Sequence, residues 1–452
     1  MRKTIFLFLF ALLFLHKANA QYTALSADSI FYQMKKVADW QWRDVETNGW
    51  KNPKKDWTNG AMYTGMMAWA RLANDETYYK KLIQVGEDNS WKIGNYRFFA
   101  DDYCVGQLYS QLYAIYKVPK YIEDFKNLGD SLVKINHREH LEWKNNIHMR
   151  EWAWCDALFM APPALAYLSQ ATGDPKYLDK ASELWWKSTA YLLDKDENLY
   201  YRDSRYFNKK EKNGAKVFWS RGNGWVIGGL VRVLAIMPNQ HPDRERFMDL
   251  FKKMASKLAA LQQPDGSWHA SLLDPASYPS KETSGTGFIC YAMAWGVNNG
   301  ILPAAKYTPI IAKAWSALSS AVHANGKLGY VQAQGAAPDK VGYEDTDVYG
   351  TGAFLLAGAE VFRLNLLQKD KVVIKEVNNP SSITKEHQIV VTWKQISEKF
   401  NRLNPKNLVA KDAATGVTVP LKINYKGKSP KNVSITTNIT AGASKFLEIS
   451  SK

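Results

Sequence analysis

The feature that most constrains this chain is an apolar, helix-forming stretch, rich in small residues, that returns six times. These segments begin near Gly60 ("GAMYTGMMAWARLA"), Gly106 ("GQLYSQLYAIY"), Asp156 ("DALFMAPPALAYL"), Gly224 ("GWVIGGLVRVLAIM"), Gly287 ("GFICYAMAWGVNNGIL") and Gly352 ("GAFLLAGAEVFRL"), about 45 to 70 residues apart. A helix that is apolar around its whole circumference is one that is buried on all sides. Between the six run amphipathic stretches such as "DPKYLDKASELWWKSTAYLL" and "DRERFMDLFKKMASKLAALQ", with one apolar stripe at helical spacing. One buried and one half-buried helix, repeated six times, predicts an all-α (α/α)6 six-hairpin toroid with an inner and an outer ring. An open solenoid is the alternative, but its units are usually shorter and more regular. In a closed toroid the loops entering the inner helices gather at one end, so their polar residues converge there.

The two ends of the chain have a different texture. "MRKTIFLFLFALLFLHKANA" joins a basic start, about eleven apolar residues and a small-residue "ANA" ending, the pattern of a secretory signal too short to span a bilayer. Residues 1–20 are therefore expected to be removed, leaving a toroid over 21–366 in an exported, periplasmic protein without a membrane anchor. From 367 to 452 short alternating runs such as "HQIVVTWK" and "NVSITTNI" predict a small C-terminal all-β domain, sandwich-like. Cys104, Cys155 and Cys290 lack CxxC or His spacing, so they are expected to be buried thiols and no zinc site is expected.

Net charge is +16, or about +13 without Arg2, Lys3 and Lys17 of the leader. Such an excess suits an acidic partner. With no basic run longer than three and no recognisable nucleic-acid module, nucleic acid is disfavoured and an acidic oligosaccharide favoured. Oligomeric state is left open.

The loops before the inner helices supply the candidate chemistry. "DWTNGAMY" carries Trp57, "FFADDYCVG" carries Asp101 and Asp102, and "HMREWAWCD" carries His148, Met149, Trp154 and Asp156. "FWSRGNGW" carries Trp219, Arg221 and Trp225, and the fifth loop carries Trp268, His269, Ser284 and Thr286. Trp can stack on a sugar face, Arg can fork onto a carboxylate, and a desolvated Asp with a raised pKa can donate a proton. Each has a plainer alternative: core packing for the tryptophans, helix capping for "ADD", an ion pair for Arg221, a structural role for His269. Asp156 differs because its neighbours are Trp154, Cys155, Ala157 and Leu158, among which an unpaired charge is costly.

"ADDYCVGQ", "WCDALFMAPP", "WSRGNGW" and "SGTG", in this order, resemble glycoside hydrolase family 105, the unsaturated rhamnogalacturonyl hydrolases, with the related unsaturated glucuronyl hydrolases of family 88 behind it. The resemblance spans about residues 30 to 365. It implies the same toroid and an enzyme that removes a 4,5-unsaturated uronic acid from the non-reducing end of lyase-generated oligosaccharides, with no metal or organic cofactor. It assigns Asp156 as general acid and base, and a second acid to Asp101, with Asp102 open. It places Trp219 and Arg221 on the unsaturated sugar, and puts Trp57 and Met149 at pocket positions. One departure is "LYYRDSRYF", where Arg202 stands in place of a His that some members carry, which adds a second cation for the uronate or alters which sugar sits next door. The competing expectations are another (α/α)6 glycosidase or epimerase acting on saturated sugars, and a noncatalytic glycan-binding repeat protein.

Overall fold

The computed structural model describes residues 26–400 and 403–451; the expected leader, 1–20, lies outside them. Among the described residues, twelve long helices alternate in two concentric rings. The outer helices are α1 (Ala27–Asn48), α3 (Glu76–Asp88), α5 (Glu123–Val133), α7 (Lys176–Leu192), α9 (Arg244–Ala260) and α11 (Ala304–Ser320). The inner ones are α2 (Trp57–Ala73), α4 (Gly106–Tyr116), α6 (Ala157–Thr172), α8 (Ser220–Ile236), α10 (Thr283–Asn298) and α12 (Val348–Leu367). All six expected inner segments are present. Each packs on the next inner helix, and α12 packs back on α2, so the ring closes and the fold is an (α/α)6 toroid rather than an open solenoid.

The small residues of the inner segments set the closeness of this ring. At the closing seam, a Cβ on Gly65 of α2 would lie 2.3 Å from the Gly352 carbonyl oxygen of α12, and one on Gly352 would lie 2.4 Å from that of Ala61. No side chain fits between backbones at that separation. The paired prolines of α6, Pro162 and Pro163, remove helical N–H donors. The carbonyl of Phe159, which Pro163 cannot serve, instead accepts from Gln107 Nε2 at 2.9 Å, and Gln107 Oε1 accepts from Arg232 Nε at 2.6 Å. Three inner helices are thus cross-linked through one buried glutamine. Cys104, Cys155 and Cys290 are buried free thiols.

Beyond α12 the chain forms a four-stranded sheet in the order β3 (Val373–Asn378), β9 (Ser444–Ser451), β5 (Leu408–Asp412), β6 (Thr418–Val419). A three-stranded sheet in the order β4 (Lys385–Thr392), β8 (Ser429–Ile439), β7 (Leu421–Lys426) completes it. Two-residue strands β1 (Leu193–Asp194) and β2 (Leu199–Tyr200) form a hairpin within the toroid. Alternate residues of both C-terminal sheets, among them Ile389, Val391, Val433, Ile435, Leu447 and Ile449, bury a core of their own. This small β unit docks where inner helices end. Asn74, the left-handed cap after α2, accepts from the Thr440 amide at 2.7 Å, and Tyr79 donates to the Gly442 carbonyl at 2.8 Å. Ala414, Ala441 and Phe446 join the toroid's own core. The β unit therefore covers the end opposite the loops that enter the inner helices.

Candidate active site

The chain turns into α6 through Trp154, Cys155 and Asp156, and the turn is fastened by the Cys155 amide, which donates to the Arg202 carbonyl at 2.8 Å. The Asp156 side chain makes no capping bond to this helix. Its Oδ2 lies 3.4 Å from Cys155 Sγ and 3.7 Å from Arg202 Nε, and the residue is 8% exposed. Burial raises its pKa, and the nearby Arg202 opposes only part of that rise. The embedded acid of the sequence sits at the mouth of the ring, immediately before the first residue of α6.

Asp101 and Asp102 share a 3-10 turn, Ala100–Tyr103, just before α4, and the structure separates them. Asp101 has its pKa pushed well up, first by burial and then by the charge of Asp156, against the pull of Arg202. The Ala100–Tyr103 turn packs on α6, which starts just after Asp156, so the two acids lie near one another. Asp102 faces the other way: its Oδ2 accepts from the Tyr96 amide at 2.5 Å, and its carboxyl lies against Gly94, where any Cβ would collide. Its pKa is raised by burial, with the Tyr96 amide opposing. Asp102 is the clamp of the 94–102 loop, which holds Asp101 in place.

Arg202 is brought in by the loop after β2, and the wall of the recess continues through Asp203, Trp143, His148 and Trp154. Trp154 is buried, its ring 5.7 Å from that of Phe99 with the planes 29° apart, and edge-on to Trp143. Met149, half-buried, belongs to the turn Ile147–Met149 on the same loop. On the opposite side Trp57 opens α2, half-buried, stacked on Tyr349 at 5.6 Å and edge-on to Trp225 at 6.0 Å.

Several expected contact residues lie beneath this surface rather than on it. Arg221 is 0% exposed. Its Nη1 donates to the Gln332 carbonyl at 2.5 Å and its Nη2 to the Ala333 carbonyl at 2.8 Å, with the Trp219 and Tyr349 rings 4.4 and 4.9 Å from its guanidinium carbon. Each amino group donates to one backbone carbonyl, and Arg221 Nε has no partner among the described residues. Trp219 is buried and donates to Gln332 Oε1 at 3.0 Å. Ser284 is buried and donates to Glu282 Oε1 at 2.5 Å, the same carboxylate oxygen that receives the Gln332 amide at 3.3 Å. Trp225 is buried among Phe159, Phe288 and Tyr349. His269 stands apart, with Asp265 at 3.6 Å and the Pro275 carbonyl at 3.2 Å; burial lowers its pKa, yet these partners leave it raised. Arg221, Trp219, Trp225 and Ser284 are thus buried beneath the recess, and His269 is tied to Asp265 and the Pro275 carbonyl.

Sequence reasoning missed the residues that organise this floor. Gln332, Glu282 and Tyr349 tie the fifth and sixth loops to "WSRGNGW", and Tyr349 donates to the Gln332 carbonyl at 2.6 Å. Tyr349, beside the sixth glycine-rich start, was the one signal available. Among the described residues, no group of three or more His, Cys, Asp or Glu is placed to hold a metal ion. Nor is any described helix long and apolar enough to cross a membrane.

This arrangement has known counterparts. Residues 27–365 match the family model described as Glycosyl Hydrolase Family 88. A protein of Formosa agariphila named "Unsaturated 3S-rhamnoglycuronyl hydrolase" is 40% identical over 323 residues, 68% of this chain and 85% of its own. One of the same name from Alteromonas sp. is 39% identical over 327 residues, 69% of this chain and 78% of its own. A solved structure described as a polysaccharide lyase is 33% identical with a TM-score of 0.68, covering 76% of this chain and 98% of its own. The match over the toroid bears out the resemblance that the motifs carried to families 105 and 88. The chain is a hydrolase that belongs to Glycosyl Hydrolase Family 88.

Proposed function

We propose that this enzyme removes a 4,5-unsaturated uronic acid from the non-reducing end of an oligosaccharide by hydrating its enol ether, and that the neighbouring sugar is rhamnose. The observation that carries the reaction is the pair Asp101 and Asp156, two carboxyl groups in one recess whose pKa values are both raised. Two such groups hold a proton that a solvated carboxylate would lose. Asp156 donates it to C4, the C4=C5 electron pair forms the new C–H bond, and the cation at C5 is shared with the ring oxygen. Water adds at C5 and returns a proton to the Asp156 carboxylate. The hemiketal opens, the C1 hemiacetal collapses to an aldehyde, and the neighbouring sugar leaves with its oxygen and a proton.

In this reading Asp101 is the second acid, because Asp102 is occupied by its loop. Arg202, whose Nε lies 3.7 Å from Asp156 and has no hydrogen-bond partner among the described residues, takes the uronate carboxylate, with the more deeply buried Arg221 behind it. Rhamnose is supported by the names of the two relatives at 39 and 40% identity. The chain is further proposed to be exported to the periplasm, on the strength of its basic, apolar and small-residue N-terminus. N-terminal sequencing of the mature protein should then begin near Gln21.

The test is a panel of lyase-generated disaccharides that differ only in the second sugar, followed by loss of the enoate absorbance. Turnover of the rhamnose-linked member, falling as pH rises through the Asp156 pKa, is expected; absorbance that persists across the panel overturns the reading. The lyase-described structure favours a second reading, eliminative cleavage of a saturated polymer. Elimination creates the absorbance that hydration consumes, so one assay separates the two.

A further inference from the structure

Charge is shared unevenly between the toroid and the β unit. Residues 367–452, fewer than a fifth of the chain, hold fifteen Lys and Arg against six Asp and Glu, which is +9 of the +16 carried by the whole. Four of those six acids are already matched: Glu448 with Lys369 at 2.7 Å, Asp412 with Lys445 at 3.4 Å, Glu376 with Arg363 at 3.5 Å and Glu398 with Lys394 at 3.9 Å. The surplus therefore falls on lysines without an acidic partner.

The fold gathers four of these at one place. One end of the β4–β8 ladder is fastened to the ring, where Thr384 donates to Glu76 at 2.7 Å and the Thr440 amide donates to Asn74 at 2.7 Å. From Ile439 back to Ser429, β8 leads to a tip about 30 Å from that fastening, at the usual rise of an extended strand. Gly427, left-handed with open space around it, and Lys428 make the turn there, and Lys426 faces Ser429. The register slips between Asn424 and Tyr425, so Lys431 bulges from β8. Lys422, Lys426, Lys428 and Lys431 are exposed, and none makes an ion pair among the described residues. Because Ile389, Val391, Val433 and Ile435 point to the core, Val390, Thr392, Asn432 and Ser434 line the outer face of the sheet beside Lys422 and Asn424. Asn424 donates to Asn432 Oδ1 at 2.7 Å and to Ser434 Oγ at 2.6 Å, which fixes this polar row. Glu386, the acid on this face among the described residues, stands at the fastened end opposite Asn438.

We infer that the β7–β8 hairpin and the outer face of its sheet are a docking surface for an acidic polysaccharide, separate from the catalytic mouth. Cations spaced along one hairpin meet a polymer whose acid groups recur along its length, and the amides and hydroxyls between them can pair with sugar hydroxyls. Lysine on an edge strand also discourages pairing with another chain, a role that Lys428 in the turn and Lys431 on the central strand β8 do not serve. Tyr425 and Val390 are the large apolar side chains exposed here among the described residues, too few to stack a run of bases or to enter a bilayer. The β unit covers the end of the ring away from the mouth, so a polymer held there leaves the recess open to short products cut from it. The choice of a polysaccharide rests on the hydrolase reading, which draws its acidic substrate from such a polymer.

The test is affinity electrophoresis of the full chain, at one ionic strength, against polygalacturonate, dextran sulfate, neutral dextran and duplex DNA. At least one acidic polysaccharide is expected to retard the protein while neutral dextran does not, and the tighter of the two assigns the acid group as carboxylate or sulfate. Lys422→Gln/Lys426→Gln/Lys428→Gln/Lys431→Gln should weaken that binding at least about tenfold. Lys252→Gln/Lys253→Gln/Lys306→Gln/Lys313→Gln removes the same charge from exposed positions of α9 and α11 and should stay within about twofold of the parent. Equal losses in the two variants, no retardation by either acidic polysaccharide, or tighter binding to DNA than to both overturns the surface. Turnover of the unsaturated disaccharide should be the same in all three proteins. Polymer binding without turnover defeats the hydrolase reading alone, and turnover without polymer binding defeats the surface alone.

Discussion

At the mouth of the toroid, burial raises the pKa values of Asp101 and Asp156, and two arginines lean on one aspartate beside them. At the far end of the same ring, Arg71, Arg232, Arg363, Glu360 and Glu376 surround a cavity of about 260 Å³ under the β unit. There the polar groups are only partly paired, with Arg232 Nη2 and Arg363 Nε lacking partners among the described residues. Arg363 lies 3.5 Å from Glu376, Glu360 accepts from Asn298 at 2.7 Å, and Arg232 is held by Gln107. Glu360, like the mouth acids, has its pKa raised by burial, with Asn298 and Arg363 opposing. Similar residue types thus close one end and keep the other reactive. What differs is that the mouth holds two acids with raised pKa values where the loops converge, whereas the far end lies under the β unit.

The strongest test of this contrast is the pair Asp156→Asn and Glu360→Gln. Asp156→Asn is expected to lose at least ~100-fold in kcat, the usual scale for removing a general acid and base. Glu360→Gln should stay within about twofold of the parent in the same absorbance assay. Comparable losses in both would abolish the distinction between the two ends.

Next in size is Arg221→Ala. Removing a buried guanidinium that serves two carbonyls is expected to cost about 3 kcal/mol, read as a lowered midpoint in urea unfolding. An unchanged midpoint with a raised KM would return Arg221 to the pocket and sharpen the count of mouth cations.

Asp101→Asn should instead stabilise the protein near neutral pH, by on the order of 1 kcal/mol. Because its folded pKa lies above the unfolded value of about 3.9, the folded state binds more protons between the two values. Its contribution is therefore most favourable at low pH and is lost as pH rises through the folded pKa. Thermal midpoints of parent and variant should converge in acid and separate toward neutrality; a variant that is less stable at pH 7 contradicts the burial of an uncompensated acid.

The smallest effect expected is at the docked end. Asn74→Ala removes the acceptor of the Thr440 amide and should cost about 1 kcal/mol in thermal unfolding while kcat stays put. A marked loss of turnover would show that the β unit reaches across the ring to the mouth.

Much of the architecture was legible because an inner helix must be apolar on every face, and six such segments at a regular period have few other solutions. The two acids that share the recess were legible too, one as a carboxylate among aromatics and the other within two adjacent positions. The floor was not. Arg221 and Trp219 owe their placement to Gln332, more than a hundred residues downstream, and Gln332 in turn to Glu282. Neither glutamine nor glutamate carries a local signature when its partners are brought in by loop convergence. Asp101 and Asp102 have the same chemistry and adjacent positions; only the Tyr96 amide, offered by a loop that doubles back, divides their tasks.

By itself, the amino-acid sequence determined the ring, the direction of its inner helices and the family, because periodic burial and short motifs are properties of neighbouring residues. Only the tertiary structure decided which arginine stands beside Asp156, which of the two adjacent aspartates lies near it, and which end of the ring the β unit covers. Those outcomes depend on burial and on partners distant along the chain, and burial sets both the cost of a charge and the pKa at which it is carried.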